Sequence, residues 1–319
     1  MPKSVVARAP GKVIISGEHF VVSGSPAIAA AIDLYATAKV LEVSSGPSVI
    51  YAEDLGIRMA LGADPPQELR PLISVINALK GLDYDIPRFE AHIRSSVPAS
   101  AGLGSSAAIG AAFAMALSAL AGDRLSREQL FSVTMEGERV AHGNPSGVDP
   151  AAVVNGGVIL YRKGLGVIDR VEGIGGLSLI VADSGVRRST GAAVSSVLRL
   201  LEALGDLRSS LLATAEGVVK AAWSSIVERR ADVLGAMLNV NHGLLAAIGV
   251  STPELDELVH TARRSGALGA KLTGAGWGGS IIAVALPDAV GPVVKSLAVK
   301  SRWVREVRVS EAGVELVEW

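Results

Sequence analysis

Alternating apolar and polar residues predict strands over 5–8, 12–16, 36–43 and 88–94, the last lying in the run RFEAHIRS. Helical spacing predicts helices over 68–79, 105–121 and 127–140, and 158–162 closes this half as a strand. A Gly-rich connection at 173–176 leads to a strand over 177–182, a long helical tract over 192–245 and a helix over 253–265. The remaining strands are expected at 269–272, 280–285 and 304–309, with an amphipathic helix over 289–299 before the last. This order is α+β in two halves, which gives domains 1–174 and 175–319. No internal repeat, low-complexity tract or charge block interrupts it.

One break in the pattern carries chemistry. Between the strand ending near 94 and the helix from 105 lie Pro98, Ala99, Ser100, Ala101, Gly102, Leu103, Gly104, Ser105, Ser106, Ala107 and Ala108. The glycines let the backbone bend where a side chain would obstruct it, and the serines sit beside the unpaired amides of a helix N-terminus. Such a turn favours anions, phosphate above all. As an isolated string it fits a plain helix cap equally well, because Ser and Gly are common cap residues. A strand before it and an Ala-rich helix after it suit an anion cradle.

A second Gly-rich string, GAGWGG at 274–279, formally matches the dinucleotide fingerprint GxGxxG, but a strand follows it where that fingerprint needs a helix. A glycine hairpin packed close to a ligand or another loop is the simpler reading. The first string also fits a relaxed fingerprint through Gly102, Gly104 and Ala107. Its acidic partner would have to be Asp123, which lies between two helices instead of ending a strand. A nicotinamide-dependent oxidoreductase is therefore disfavoured.

Composition narrows the partners. With 319 residues, 49% of them hydrophobic, the chain can bury a large core, and a net charge of -1 argues against a general nucleic-acid or membrane-surface role. Zero cysteines exclude disulfides and thiolate metal sites. The chain opens on a β-like run instead of a signal segment, so a cytoplasmic location is expected. The apolar stretch 107–121 is Ala-heavy and short for a membrane span, so it reads as a core helix.

Candidate chemistry lies in two further places. The run EGERVAHGNPSGVDP at 136–150 sets Glu138 near a helix end, and Gly143, Pro145 and Gly147 force a loop that returns Asp149 toward it. Two carboxylates so placed suit a Mg²⁺ ligand and a base in phosphoryl transfer, although solvated surface carboxylates would look the same. Lys12 enters an otherwise apolar strand; it either snorkels from a sheet edge or pairs with a carboxylate beside a reacting oxygen. The five histidines show no metal-ligand spacing, and only His19 and His142 gain interest from Gly-rich neighbours.

Three ordered blocks, APGKVIISGEH at 9–19, PASAGLGSSAA at 98–108 and KLTGAGWGGS at 271–280, together resemble the GHMP kinase superfamily over most of the chain. GERVAHGNPSGVD at 137–149 and NVNHGLLAAIGVSTPELDELV at 239–259 are similar to its mevalonate kinase family, in an archaeal-like form. The resemblance implies an N-terminal domain like the second domain of ribosomal protein S5, a C-terminal ferredoxin-like domain and an active site in the cleft between them. It also implies ATP and Mg²⁺, with Ser106 and Glu138 on the metal. Asp149 would be the base or orienter of the attacking hydroxyl and Lys12 its electrostatic partner. Glu18, His19, Thr190 and Gly274 fall at the acid substrate, and either Arg187 or Arg188 would meet its carboxylate, with Arg188 counted in the site. Two departures stand out: ADSGVRRST at 182–190 has Ser184 where the family usually has Thr, and Trp277 occupies a position more often small.

What the resemblance implies is phosphorylation of (R)-mevalonate on its 5-hydroxyl in isoprenoid synthesis. Alternatives are a phosphomevalonate kinase or mevalonate 3-kinase and, from another class, a non-catalytic metabolite sensor on a kinase fold. The presence of Lys12, Ser106, Glu138 and Asp149 counts against the sensor. Expected partners are mevalonate and ATP, with no nucleic acid and no membrane; a homodimer is compatible with the sequence.

Overall fold

The structure is a computed structural model and describes residues 3–99, 101–187 and 190–318. Two sheets organise it. The first is built on β1 (Ser4–Ser16) and β2 (Ala27–Glu42), long antiparallel neighbours, followed by the short pair β3 (Val49–Ala52) and β4 (Ile57–Ala60). Helix α1 (Arg70–Gly81) leads to β5 (Phe89–Ser95), and three helices follow: α2 (Ser105–Leu120), α3 (Arg127–His142) and α4 (Val148–Asn155). The hairpin β6 (Val158–Arg162) and β7 (Gly166–Val171) completes this part. The C-terminal half of β2 pairs with β5 and its N-terminal half with β6, so one strand spans most of the layer.

The second sheet has four antiparallel strands in the order β11-β8-β10-β9. These are β8 (Ser178–Asp183), β9 (Gly269–Leu272), β10 (Ser280–Ala285) and β11 (Trp303–Val307). Between β8 and β9 run α5 (Thr190–Ala203), α6 (Leu207–Val227), α7 (Ala231–Ala247) and α8 (Pro253–Arg264), and α9 (Val290–Ala298) joins β10 to β11. The last strand, β12 (Glu315–Glu318), returns to pair with β1 in the first sheet.

Strand alternation assigns the core. Leu179, Val181, Ile282 and Val284 face α6 and α7 and join the cluster under the first sheet, whereas Ile180, Ala182, Ile281 and Ala283 face the second cluster, with α8 and α9. Apolar packing is thus continuous between the halves. The 174/175 division falls in the connection from β7 to β8, where the chain changes sheets, but β12 belongs to the first sheet.

Several elements depart from the sequence reading. The strands expected at 5–8 and 12–16 are one strand, with a register shift at Pro10/Gly11 in place of a break. The loop expected up to Asp149 ends earlier, because α4 begins at Val148 and accommodates Pro150 in its first turn. The tract 192–245 divides into α5, α6 and α7. The run 107–121 lies largely within α2, which is buried across β1 and β2, and among the described residues no helix is long and apolar enough to cross a membrane.

Candidate active site

A cleft of about 1280 Å³ opens where α2, α3 and α4 meet the end of β1, with α5 and the β9–β10 turn on its far side. The N-terminus of α2 points into it. Gly104 caps this helix at φ 74°, and a Cβ there would lie 2.8 Å from Lys12 Cγ, so the turn rests directly on the lysine stem. Lys12 N–H donates to Leu103 O at 2.8 Å, which docks the turn on β1. Pro98, Ala99, Gly102, Leu103, Gly104, Ser105 and Ser106 line the cleft, whereas Ala101, Ala107 and Ala108 are buried in the core and Ser100 lies outside the described residues.

Lys12 is 2% exposed, so it is a buried cation and does not snorkel from an edge. Its Nζ donates to Gly102 O at 2.9 Å and stands 3.2 Å from Asp149 Oδ1. Asp149 is held there by the first turn of α4. Gly147, at φ 90°, starts that helix where a Cβ would come 2.3 Å from Tyr161 Oη, and the phenol donates to Ser146 O at 3.0 Å.

Helix α3 begins with a capping box between Ser126 and Gln129 and carries Glu138 and His142 one turn apart at its other end. Ser106 Oγ donates to Glu138 Oε1 at 2.6 Å, and His142 Nε2 is 3.2 Å from the same hydroxyl. Burial, with Asp149 adding to it, raises the Glu138 pKa from 4.5 to about 7; Ser106 and Lys12 act against the shift. Lys12, Ser106, Glu138 and Asp149 therefore form one cluster around the Gly-Ser turn.

The opposite wall joins the two sheets. His19 sits at φ 61°, and its Nε2 is 3.0 Å from Ala275 O in the β9–β10 turn. Glu18 accepts from Lys271 Nζ on one oxygen and from Asn241 Nδ2, at 3.1 Å, on the other. Ser16 Oγ donates to Asn241 Oδ1 at 3.2 Å, and Thr273 Oγ1 both accepts from Ile14 N–H at 2.9 Å and donates to Ile14 O at 3.1 Å. Lys271 is fully buried, which pushes its ammonium down from the usual lysine range while Glu18 pulls it back up. Thr190 and Gly274 also line the cleft. Arg187 is exposed, and Arg188 lies outside the described residues.

Sequence reasoning passed over Lys271 and Asn241 and gave His142 no role. Lys271 carries the cue that exposed Lys12, a lysine inside an apolar strand. Asn241 interrupts the apolar face of α7.

Residues 72–157 match the family model for the GHMP kinases N terminal domain, and residues 222–298 match that for the GHMP kinases C terminal. The chain belongs to the GHMP kinases. It is 40% identical to the mevalonate kinase of Aeropyrum pernix and 34% identical to that of Pyrococcus abyssi, covering 100% of this chain in both cases and 100% and 99% of the relatives. The crystal structure of L. major mevalonate kinase in complex with R-mevalonate superposes with a TM-score of 0.83 at 29% identity, over 98% of each chain. Within the GHMP kinases, the chain belongs to the mevalonate kinase family.

Proposed function

We propose that the protein transfers the γ-phosphoryl group of ATP to the 5-hydroxyl of (R)-mevalonate, giving 5-phosphomevalonate. The observation that carries this reading is the Lys12–Asp149 pair, 3.2 Å apart, beside the α2 N-terminus in a chain whose full-length relatives are mevalonate kinases.

Each part of the cluster has a task in that reaction. The first N–H groups of α2 lack intrahelical acceptors and stabilise phosphate oxygens, with Gly104 allowing close approach. Ser106 and Glu138 fit a divalent cation: a hydroxyl and a buried carboxylate 2.6 Å apart are oxygen donors of the kind Mg²⁺ takes. Mg²⁺, when bound, supplies positive charge against the phosphate oxygens. Asp149 orients the 5-hydroxyl and accepts its proton, and Lys12, 3.2 Å away, fixes the position of that carboxylate and steadies charge at the reacting oxygen. His19, Thr190, Gly274 and Arg188 take the acid end. Glu18 also lines the cleft, but both its oxygens are engaged by Lys271 and Asn241, so its part is to anchor the chain beside His19.

In this reading unit 1–174 lines most of the cleft and unit 175–319 closes it through α5 and the β9–β10 turn, and we place the reaction in the cytoplasm. A coupled assay of ADP release tests the reading with mevalonate, phosphomevalonate, galactose and homoserine. Mevalonate is expected to give the highest kcat/KM, and a preference for phosphomevalonate would move the protein to another branch of the family.

A further inference from the structure

The β9–β10 turn has left-handed backbone at Gly274, Gly276, Trp277, Gly278 and Gly279. Glycines adopt this region freely, whereas Trp277, at φ 59°, holds it against steric strain. Its contacts oppose that strain. The Trp277 backbone N–H donates to Val250 O at 2.8 Å and the indole Nε1–H donates to Gly249 O at 2.9 Å. The ring packs on the second apolar cluster, and the adjoining Gly276 sits so close that a Cβ would lie 2.2 Å from Val250 O. One side chain thus fastens a glycine-rich turn to the loop over 248–252.

The fastened turn reaches the cleft. Two residues before Trp277, the Ala275 carbonyl is 3.0 Å from His19 Nε2, and Gly274 and Ala275 line the cavity. His19 itself has a positive φ of 61°, and the Ala275 carbonyl is one of the groups that hold its ring. On the other flank, Gly279 N–H donates to Val186 O at 3.0 Å and Ser184 N–H to Gly279 O at 2.8 Å, which ties the turn to the segment leading into α5.

We propose that Trp277 is a positioning residue for the acid substrate: it clamps the β9–β10 turn to the 248–252 loop so that the Ala275 carbonyl holds the His19 ring in the cleft. The inference rests on the reading of the site given above. It predicts an effect on one substrate only, because the ATP side is built on the N-terminus of α2 and the end of α3, whereas the bonds of Ala275, Trp277 and Gly279 run to His19, to the 248–252 loop and to the segment leading into α5.

The test is steady-state kinetics of the wild type, Trp277→Phe and Trp277→Gly, with folding checked by circular dichroism and thermal melting. Trp277→Phe keeps the ring and loses the indole bond, so KM for mevalonate is expected to rise about two- to tenfold, the worth of one hydrogen bond. KM for ATP and kcat stay at wild-type values. Trp277→Gly, which also loses the packing, is expected to raise KM for mevalonate further. Wild-type KM for mevalonate in Trp277→Phe, whatever its melting temperature, overturns the proposal, as does an equal rise in both KM values. If Trp277→Gly does not fold, the Phe variant decides alone. A wild type without mevalonate-dependent ADP release would instead overturn the functional reading itself.

Discussion

Replacing Glu138 by Gln tests the electrostatics of the cluster through folding stability in the absence of divalent cations. Glu138 titrates at about 7 in the folded chain, against 4.5 as its ordinary value. Below pH 4.5 the group is protonated in both folded and unfolded chains. Between 4.5 and 7 the unfolded chain releases the proton while the folded chain retains it, so stability falls as pH rises, and above 7 the loss levels off. At about 1.4 kcal/mol per unit, a shift from 4.5 to about 7 amounts to about 3 kcal/mol, most of it between pH 5 and 8. Gln cannot titrate and retains a carbonyl to accept from Ser106. The assay is urea unfolding of wild type and Glu138→Gln in EDTA across pH 5 to 8. Wild type is expected to lose about 2 to 3 kcal/mol relative to the variant as pH rises through this window. Parallel profiles would refute the burial argument, and a wild type that gains stability relative to the variant would reverse its sign.

Two further substitutions examine the neighbouring pairs. Asp149→Asn is expected to lower turnover by about a hundredfold or more while leaving KM for ATP nearly unchanged; turnover near wild type would remove Asp149 from the chemistry. Because the Asp149 charge adds to the Glu138 shift, the same variant should move the Glu138 titration toward lower pH. Lys271→Met leaves the buried Glu18 carboxylate without its cation and should cost about 3 to 5 kcal/mol in denaturant unfolding, with partial recovery on adding Glu18→Gln. A loss below about 1 kcal/mol would mean that the pair does not hold the sheets together.

The sequence revealed most where side-chain pattern and local geometry agree. The helix from Ser105, the capped helix from Arg127 and the strand pair Gly269–Leu272 and Ser280–Ala285 were all legible, because period and turn residues pointed the same way. The first half of β2, AIAAAID, was not: its leading six residues are buried and carry no polar alternation. β7 escaped for the opposite reason, since its residues are exposed or half-buried. The return of β12 to β1 is a long-range pairing that no local period announces.

The site followed the same division. Lys12 and the Gly-Ser turn were visible because a charge in an apolar strand and a glycine before a helix are local signals. Which carboxylate meets which group was not visible, because Asp149 reaches Lys12, and Glu138 reaches Ser106, only through the packing of α2, α3 and α4. The engagement of Glu18 by Lys271 and Asn241 joins positions more than 200 residues apart and depends on how the two sheets meet.

The most direct measurement is phosphorus and carbon NMR of the product formed from ATP and (R)-mevalonate. The account predicts a single new phosphate monoester coupled to the C5 methylene, with stoichiometric ADP. Phosphate attached at C3, or ATP and mevalonate recovered unchanged under conditions where the protein is folded, would contradict it.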